Sequence, residues 1–146
     1  MSWYYLDTSA AAKLLAQESE SAELAEWADS VDLVSSVLLE TELRRFAMRT
    51  GIPQADATAV LDRVPLYEVA PSLFHGAGVF PGTDLRSLDA LHLAVAIRLR
   101  VDAVVTYDAR MAQSARDLGL SVVERASSCS ADRNDRGVEV LGQAFR

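Results

Sequence analysis

Short runs of strand-forming residues alternate with longer helix-forming runs along most of this chain, and that alternation limits the folds open to it. "WYYL" (Trp3–Leu6) reads as a strand, followed by helical stretches at Ser9–Gln17 and Ser21–Asp29 with Ser9 and Ser21 as candidate caps. Val31–Ser36 is a second strand. The helix Val37–Arg49 is stopped by Gly51 and Pro53, and a helix over Pro53–Arg63 opens on its proline. Val64–Ala70 alternates like a strand, Ser72–Val79 reads as a helix and Phe80–Asp84 as a loop. Leu88–Arg100 is a helix apolar almost all round. Its polarity predicts cover on both sides, with Leu88, Leu91, Val95 and Leu99 on one and Leu93 and Ile97 on another. Asp102–Thr106 is a strand, Ala109–Leu118 a helix, and Leu120–Glu124 a last strand. Strands separated by helices predict βαβ units and a parallel sheet, an α/β fold.

The 146 residues suit one domain, and half of them are hydrophobic, too many for a disordered chain. The expected division is a folded domain over 1–125 and a polar, turn-rich extension over 126–146. With 14 basic and 21 acidic residues the net charge is −7. A general nucleic-acid binder would be basic, so a phosphate-bearing partner here needs local cations or an arginine patch. The single cysteine, Cys129, rules out an intrachain disulfide. No apolar run approaches a membrane span and the first residues show no leader pattern, so the expectation is a soluble, cytoplasmic protein.

Function in an open parallel sheet sits at the carboxyl ends of its strands. Asp7 follows the first strand and Asp108 follows "VVTY". Two readings stand for each: a site carboxylate, or a turn and N-cap role common at strand-to-helix junctions. Glu42 lies on a helix whose apolar stripe is Leu39, Leu43 and Phe46. At about 100° per residue it falls on the shoulder of the buried face. There it faces a site or pairs with Arg45. Glu40 lies further out, with Arg44 at i+4 as an exposed ion-pair partner. Asp89 opens the apolar helix, with Ser87 as a candidate cap and the helix dipole as an alternative reason for an acid there. His92, one turn on, is either a metal contact or an interior histidine with its nitrogens hydrogen-bonded.

Gathering these carboxylates in one place raises their proton affinities through repulsion and desolvation. Two divalent ions would balance four carboxylates. With no Cys/His cluster to compete, hard cations such as Mg²⁺ or Mn²⁺ match the oxygen ligands, and such a site suits phosphoryl chemistry.

"YYLDTSAAAKLL" (Tyr4–Leu15), "SSVLLETELRR" (Ser35–Arg45), "LRSLDALHLAVAIRL" (Leu85–Leu99) and "VVTYDARMAQSARDLGLSVV" (Val104–Val123) together resemble the PIN-domain ribonucleases, and within them the VapC-like toxins of toxin–antitoxin pairs. The resemblance implies a PIN-like three-layer α/β/α domain with a central parallel sheet. It places the acidic quartet on Asp7, Glu42, Asp89 and Asp108, as catalytic groups and metal ligands. It implies one or two Mg²⁺ or Mn²⁺ ions, an RNA substrate, a small VapB-like antitoxin and a homodimer. Thr8, Ser9 and Thr106 are then supporting or phosphate-contacting hydroxyls. Arg86, Lys13, Arg45 and Arg110, with Arg44 and Arg49, are the expected RNA contacts, Arg86 foremost because it flanks Asp89. Leu24 and Trp27 are expected either in the core or on an antitoxin or dimer surface. The tail "RASSCSADRNDRGVEVLGQAFR" departs from the family pattern.

The function expected is therefore that of a metal-dependent endoribonuclease toxin. The alternatives are a housekeeping PIN nuclease in RNA processing and a non-catalytic PIN-like binding module. A haloacid-dehalogenase-type enzyme needs a second aspartate two residues after the first, where this chain has Ser9. A receiver domain needs paired acids near the first strand, which are missing. An inactive PIN domain would lack one of the four acids.

Overall fold

The computed structural model describes residues 2–16 and 21–124. The extension expected from residue 126, with Cys129, lies outside them, as does the end of the first helix predicted at Gln17.

In chain order the elements are β1 (Trp3–Leu6), α1 (Thr8–Ala16), α2 (Ser21–Asp29), β2 (Asp32–Ser36), α3 (Leu38–Thr50), α4 (Gln54–Leu61), β3 (Leu66–Tyr67), α5 (Pro71–Gly78), α6 (Ser87–Leu99), β4 (Ala103–Thr106), α7 (Ala109–Asp117) and β5 (Val122–Glu124). The strands form one parallel sheet in the order β3-β2-β1-β4-β5. The order runs one way from β1 to β3 and the other way from β4 to β5. Right-handed crossovers therefore place the intervening helices on opposite faces.

The core shows this three-layer arrangement. Tyr4, Leu6, Leu33, Ala103 and Val105 point to the face covered by α1 to α4. Tyr5, Val34, Val104 and Val122 point to the face covered by α6 and α7. Both faces are apolar, so the strands read as near-continuous hydrophobic runs. Leu24 and Trp27 on α2 are buried in the first layer, the Trp27 ring meeting Tyr4 edge-on with centroids 5.2 Å apart. They are core, and the surface role considered for them falls away.

The centre of α6, Ala90 to Ala96, is fully covered, by the sheet on one side and α5 on the other. The cover ends where the helix outruns its neighbours, leaving Leu88 and Ile97 exposed. The strand expected over Val64–Ala70 shrinks to two residues. Pro65 offers no N–H for a ladder, and Pro71 starts α5 soon after. α3 ends as its sequence predicts, at Gly51 in the left-handed region (φ 71°) with its N–H on the Ala47 carbonyl.

Candidate active site

The sheet reverses its order between β1 and β4, and a parallel sheet opens its crevice at that point. The register pairs Leu6 with Val105, so Asp7 lies beside Thr106 on the α6/α7 face. Thr106 Oγ1 donates to Asp7 Oδ2 at 2.6 Å. Ser9 Oγ and the Ala10 N–H donate to Oδ1 at 2.8 and 2.9 Å. Ser9 Oγ in turn accepts from the Tyr107 N–H, and Thr106 Oγ1 from the Asp108 N–H. Every member of this network both supports and is supported. The bond from Ala10, three residues on, is that of an N-cap, so Asp7 closes the start of α1 while facing the crevice.

Asp108 caps α7 in the same way, Oδ1 accepting from the Arg110 and Met111 amides. Both aspartates cap a helix and line the same cleft. Asp89 stands in the first turn of α6 and half-buried. Ser87 opens that helix rather than capping it, since the cap position falls on Arg86 without a side-chain hydrogen bond.

Glu42 comes from α3, on the far layer, and sits partly buried at the sheet's rim. Its partner is His92 of α6, Nε2 to Oε1 at 2.5 Å, rather than the Arg45 considered from sequence. His92 is buried and its Nδ1 meets the Tyr5 hydroxyl at 2.7 Å. Both ring nitrogens are thus engaged, as an interior histidine requires. Asp7, Glu42, Asp89 and Asp108 all line one cleft of about 380 Å³, together with Thr8, Ser9, Arg86, Ser87, Leu88 and His92. Among the described residues no three His, Cys, Asp or Glu side chains close into a ready-made metal cage. The acids share a cleft without being drawn to a point, and His92 holds one of them.

Residues 4–117 match the PIN domain family. Ribonuclease VapC35 of Mycobacterium tuberculosis is 39% identical over 128 residues, covering 82% of this chain and 94% of that protein. Ribonuclease VapC47 of the same species is 39% identical over 127 residues, covering 79% and 91%. This chain belongs to the PIN-domain family, among the VapC ribonucleases. The fold agrees. A crystal structure of M. tuberculosis VapC20, a sarcin-ricin loop cleaving toxin, superposes with a TM-score of 0.64 at 18% identity, covering 76% of this chain and 94% of that one. A PilT N-terminus domain protein from Sulfolobus solfataricus superposes with a TM-score of 0.59 at 17% identity, covering 97% and 92%.

Burial dominates the electrostatics of this PIN cleft. Burial lifts the Asp7 carboxyl to about 6, against the pull of its three hydrogen-bond donors. Burial, and then the Asp108 charge, raise Asp89 above the ordinary aspartate range, with His92 and Arg86 opposing. Of the expected RNA contacts, Arg86 lines the cleft. Arg45 on α3 and Arg110 on α7 are exposed outside its lining, and the Lys13 ammonium lies over the Tyr107 ring, 5.8 Å from its centroid. Arg44 is occupied. It pairs with Glu40 at 2.8 Å, as its i+4 spacing predicts, and reaches Gln54 and Thr58 to pin α3 to α4. The hydroxyls divide too: Ser9 and Thr106 are committed to Asp7, while Thr8 Oγ1 is buried with no hydrogen-bond partner.

The contact of Tyr5 with His92, 87 residues away, has no motif in the sequence. The strand's period of two signals only that Tyr5 and Asp7 share a face.

Proposed function

We propose that this protein is a divalent-cation-dependent endoribonuclease acting as the toxin of a toxin–antitoxin pair. The observation that carries the reading is the meeting of Asp7, Glu42, Asp89 and Asp108, from four separate parts of the fold, in one cleft at the sheet's switch point. Its support from relatives is the ribonuclease name carried by VapC35, VapC47 and VapC46.

The cleft residues fit a hard cation. The donors are all carboxylate oxygens, and burial holds two of the carboxyls above their ordinary range, a cost that a bound cation would relieve. An open arrangement suits Mg²⁺, which keeps several waters and takes few protein ligands. The carboxylates of Asp7, Asp89 and Asp108 are the groups that would hold the ion, no three of them closing on it at once and water completing its shell, with Glu42 presenting its free oxygen. When bound, the cation supplies Lewis-acid charge at a phosphodiester and makes water more acidic.

The chain's own groups do the rest. Asp7 is fixed by three donors, so its orientation costs nothing to reorganise at the moment of reaction. Arg86, at the head of α6, is the cleft cation able to take a phosphate oxygen of the RNA backbone. Thr8 Oγ1 offers a hydroxyl with no competing partner. A small VapB-like antitoxin, a homodimeric state and a polar extension over 126–146 outside a 1–125 domain belong to this proposal. No helix among the described residues is long and apolar enough to cross a membrane, and the cytoplasm is the proposed place of action.

The test is cleavage of a single-stranded RNA by the purified chain. Cleavage with Mn²⁺ or Mg²⁺ that EDTA abolishes and restored metal recovers is the expected result. Cleavage that persists in EDTA contradicts the mechanism.

A further inference from the structure

The strand β1 carries Tyr5 two residues before Asp7. Its ring is fully buried and it does not line the cleft. Its hydroxyl meets His92 Nδ1 at 2.7 Å, and His92 Nε2 meets Glu42 Oε1 at 2.5 Å. The ring planes of Tyr5 and His92 lie 74° apart, edge to face. One continuous chain of side chains thus runs from the sheet interior, through α6, to the carboxylate of α3.

The polarity of that chain follows from donor and acceptor capacity. An ionised carboxylate only accepts. A bare Nε2 lone pair facing Oε1 at this distance would be repulsive, so Nε2 carries a hydrogen and donates to Glu42. In a neutral ring Nδ1 then carries the lone pair and accepts from the Tyr5 hydroxyl, whereas an imidazolium would donate to it.

We propose that Tyr5 is a positioning residue which, by donating to His92 Nδ1, fixes the histidine so that its Nε2–H holds Glu42 with one oxygen bound and the other turned to the cleft. Neither Tyr5 nor the bond it makes touches substrate. The consequence is a Glu42 that enters the reaction already oriented, on a helix otherwise anchored to the opposite layer of the fold. This rests on the cleft being the nuclease centre, while its hydrogen-bond polarity stands apart from that reading.

The test is ¹⁵N NMR of histidine-labelled, metal-free full-length protein, with exposed His75 as the internal reference. The expected wild-type spectrum has a protonated Nε2 and an accepting Nδ1 on His92. A protonated Nδ1 overturns the proposal, and no variant is needed to see it. In Tyr5→Phe, which keeps the ring, the expected results are mixed His92 tautomers and Mn²⁺ affinity weakened about fivefold to tenfold, the value of one buried hydrogen bond. A fall in kcat with KM held is expected alongside. Wild-type tautomer, Mn²⁺ affinity and kcat all surviving in a folded Tyr5→Phe protein overturn it. Wild-type protein with the expected His92 spectrum but no RNA cleavage would instead defeat the nuclease reading and leave the relay in place.

Discussion

Thr106 Oγ1 donates a 2.6 Å hydrogen bond to Asp7 Oδ2 across 99 residues of sequence. The bond joins the two strands at which the sheet reverses its order, and it holds a buried carboxylate at the mouth of the cleft. Hydrogen bonds to a charged group contribute about 1.5–3 kcal/mol each. Thr106→Val keeps the shape and removes the donor. It should destabilise the protein by roughly that amount and push the Asp7 carboxyl above its present value near 6. Urea unfolding and a ¹³C carboxyl titration of the variant measure both effects. An unmoved Asp7 titration would show that Thr106 does not stabilise the charge.

Asp7 also gives stability a pH dependence of definite sign. Its carboxyl is raised from 3.8 to about 6 by burial. Below both values folded and unfolded chains hold the proton alike. As pH climbs, the unfolded chain releases it first, so stability present at low pH is lost as pH rises through about 6. The loss is of order 3 kcal/mol. Asp7→Asn removes it. In EDTA at pH 7.5 the variant should be more stable than wild type, with the gap closing toward pH 4. Chemical denaturation at three pH values checks this, and a gap independent of pH would contradict it.

A cation bound among the acids stabilises the folded state by mass action. At about one hundred times its dissociation constant the gain is about 2.7 kcal/mol. Mn²⁺ should therefore raise the melting temperature of wild type and leave that of Asp89→Asn nearly unchanged. Competition with the Asp7 proton should tighten Mn²⁺ binding between pH 5 and pH 7, as isothermal titration would record.

Two arginines with different surroundings should behave differently. Arg86→Ala should raise KM for RNA and reduce the salt dependence of RNA binding by about 0.7 in log–log slope, the share of one phosphate contact on a single strand. Arg44→Ala should leave that slope alone and cost about 1 kcal/mol of stability, because its guanidinium ties α3 to α4. Equal slopes for Arg86→Ala and wild type would remove Arg86 from the RNA path.

Much of this was legible in the chain. Alternating strand and helix runs predict the parallel sheet because each element carries its own period. Asp7 and Asp108 are visible because strand ends in such a sheet are few. Glu42 is visible because three apolar residues fix the helix face beside it. What the sequence hides are meetings between elements. Glu42 and His92 stand 50 residues apart and Tyr5 and His92 stand 87 apart, on elements whose contact depends on the whole layer order. Arg44 reads as a surface cation because nothing local announces Gln54 and Thr58 as its partners.

The claim on which the rest stands is that the four cleft acids act as one centre. The initial rate of RNA cleavage in Mn²⁺ should be compared for wild type, Asp7→Asn, Glu42→Gln, Asp89→Asn and Asp108→Asn, each checked for a native circular dichroism spectrum. Each folded variant should lose at least about a hundredfold in rate, the scale of a removed catalytic group. Wild-type rates in Asp7→Asn and Asp89→Asn would contradict the account.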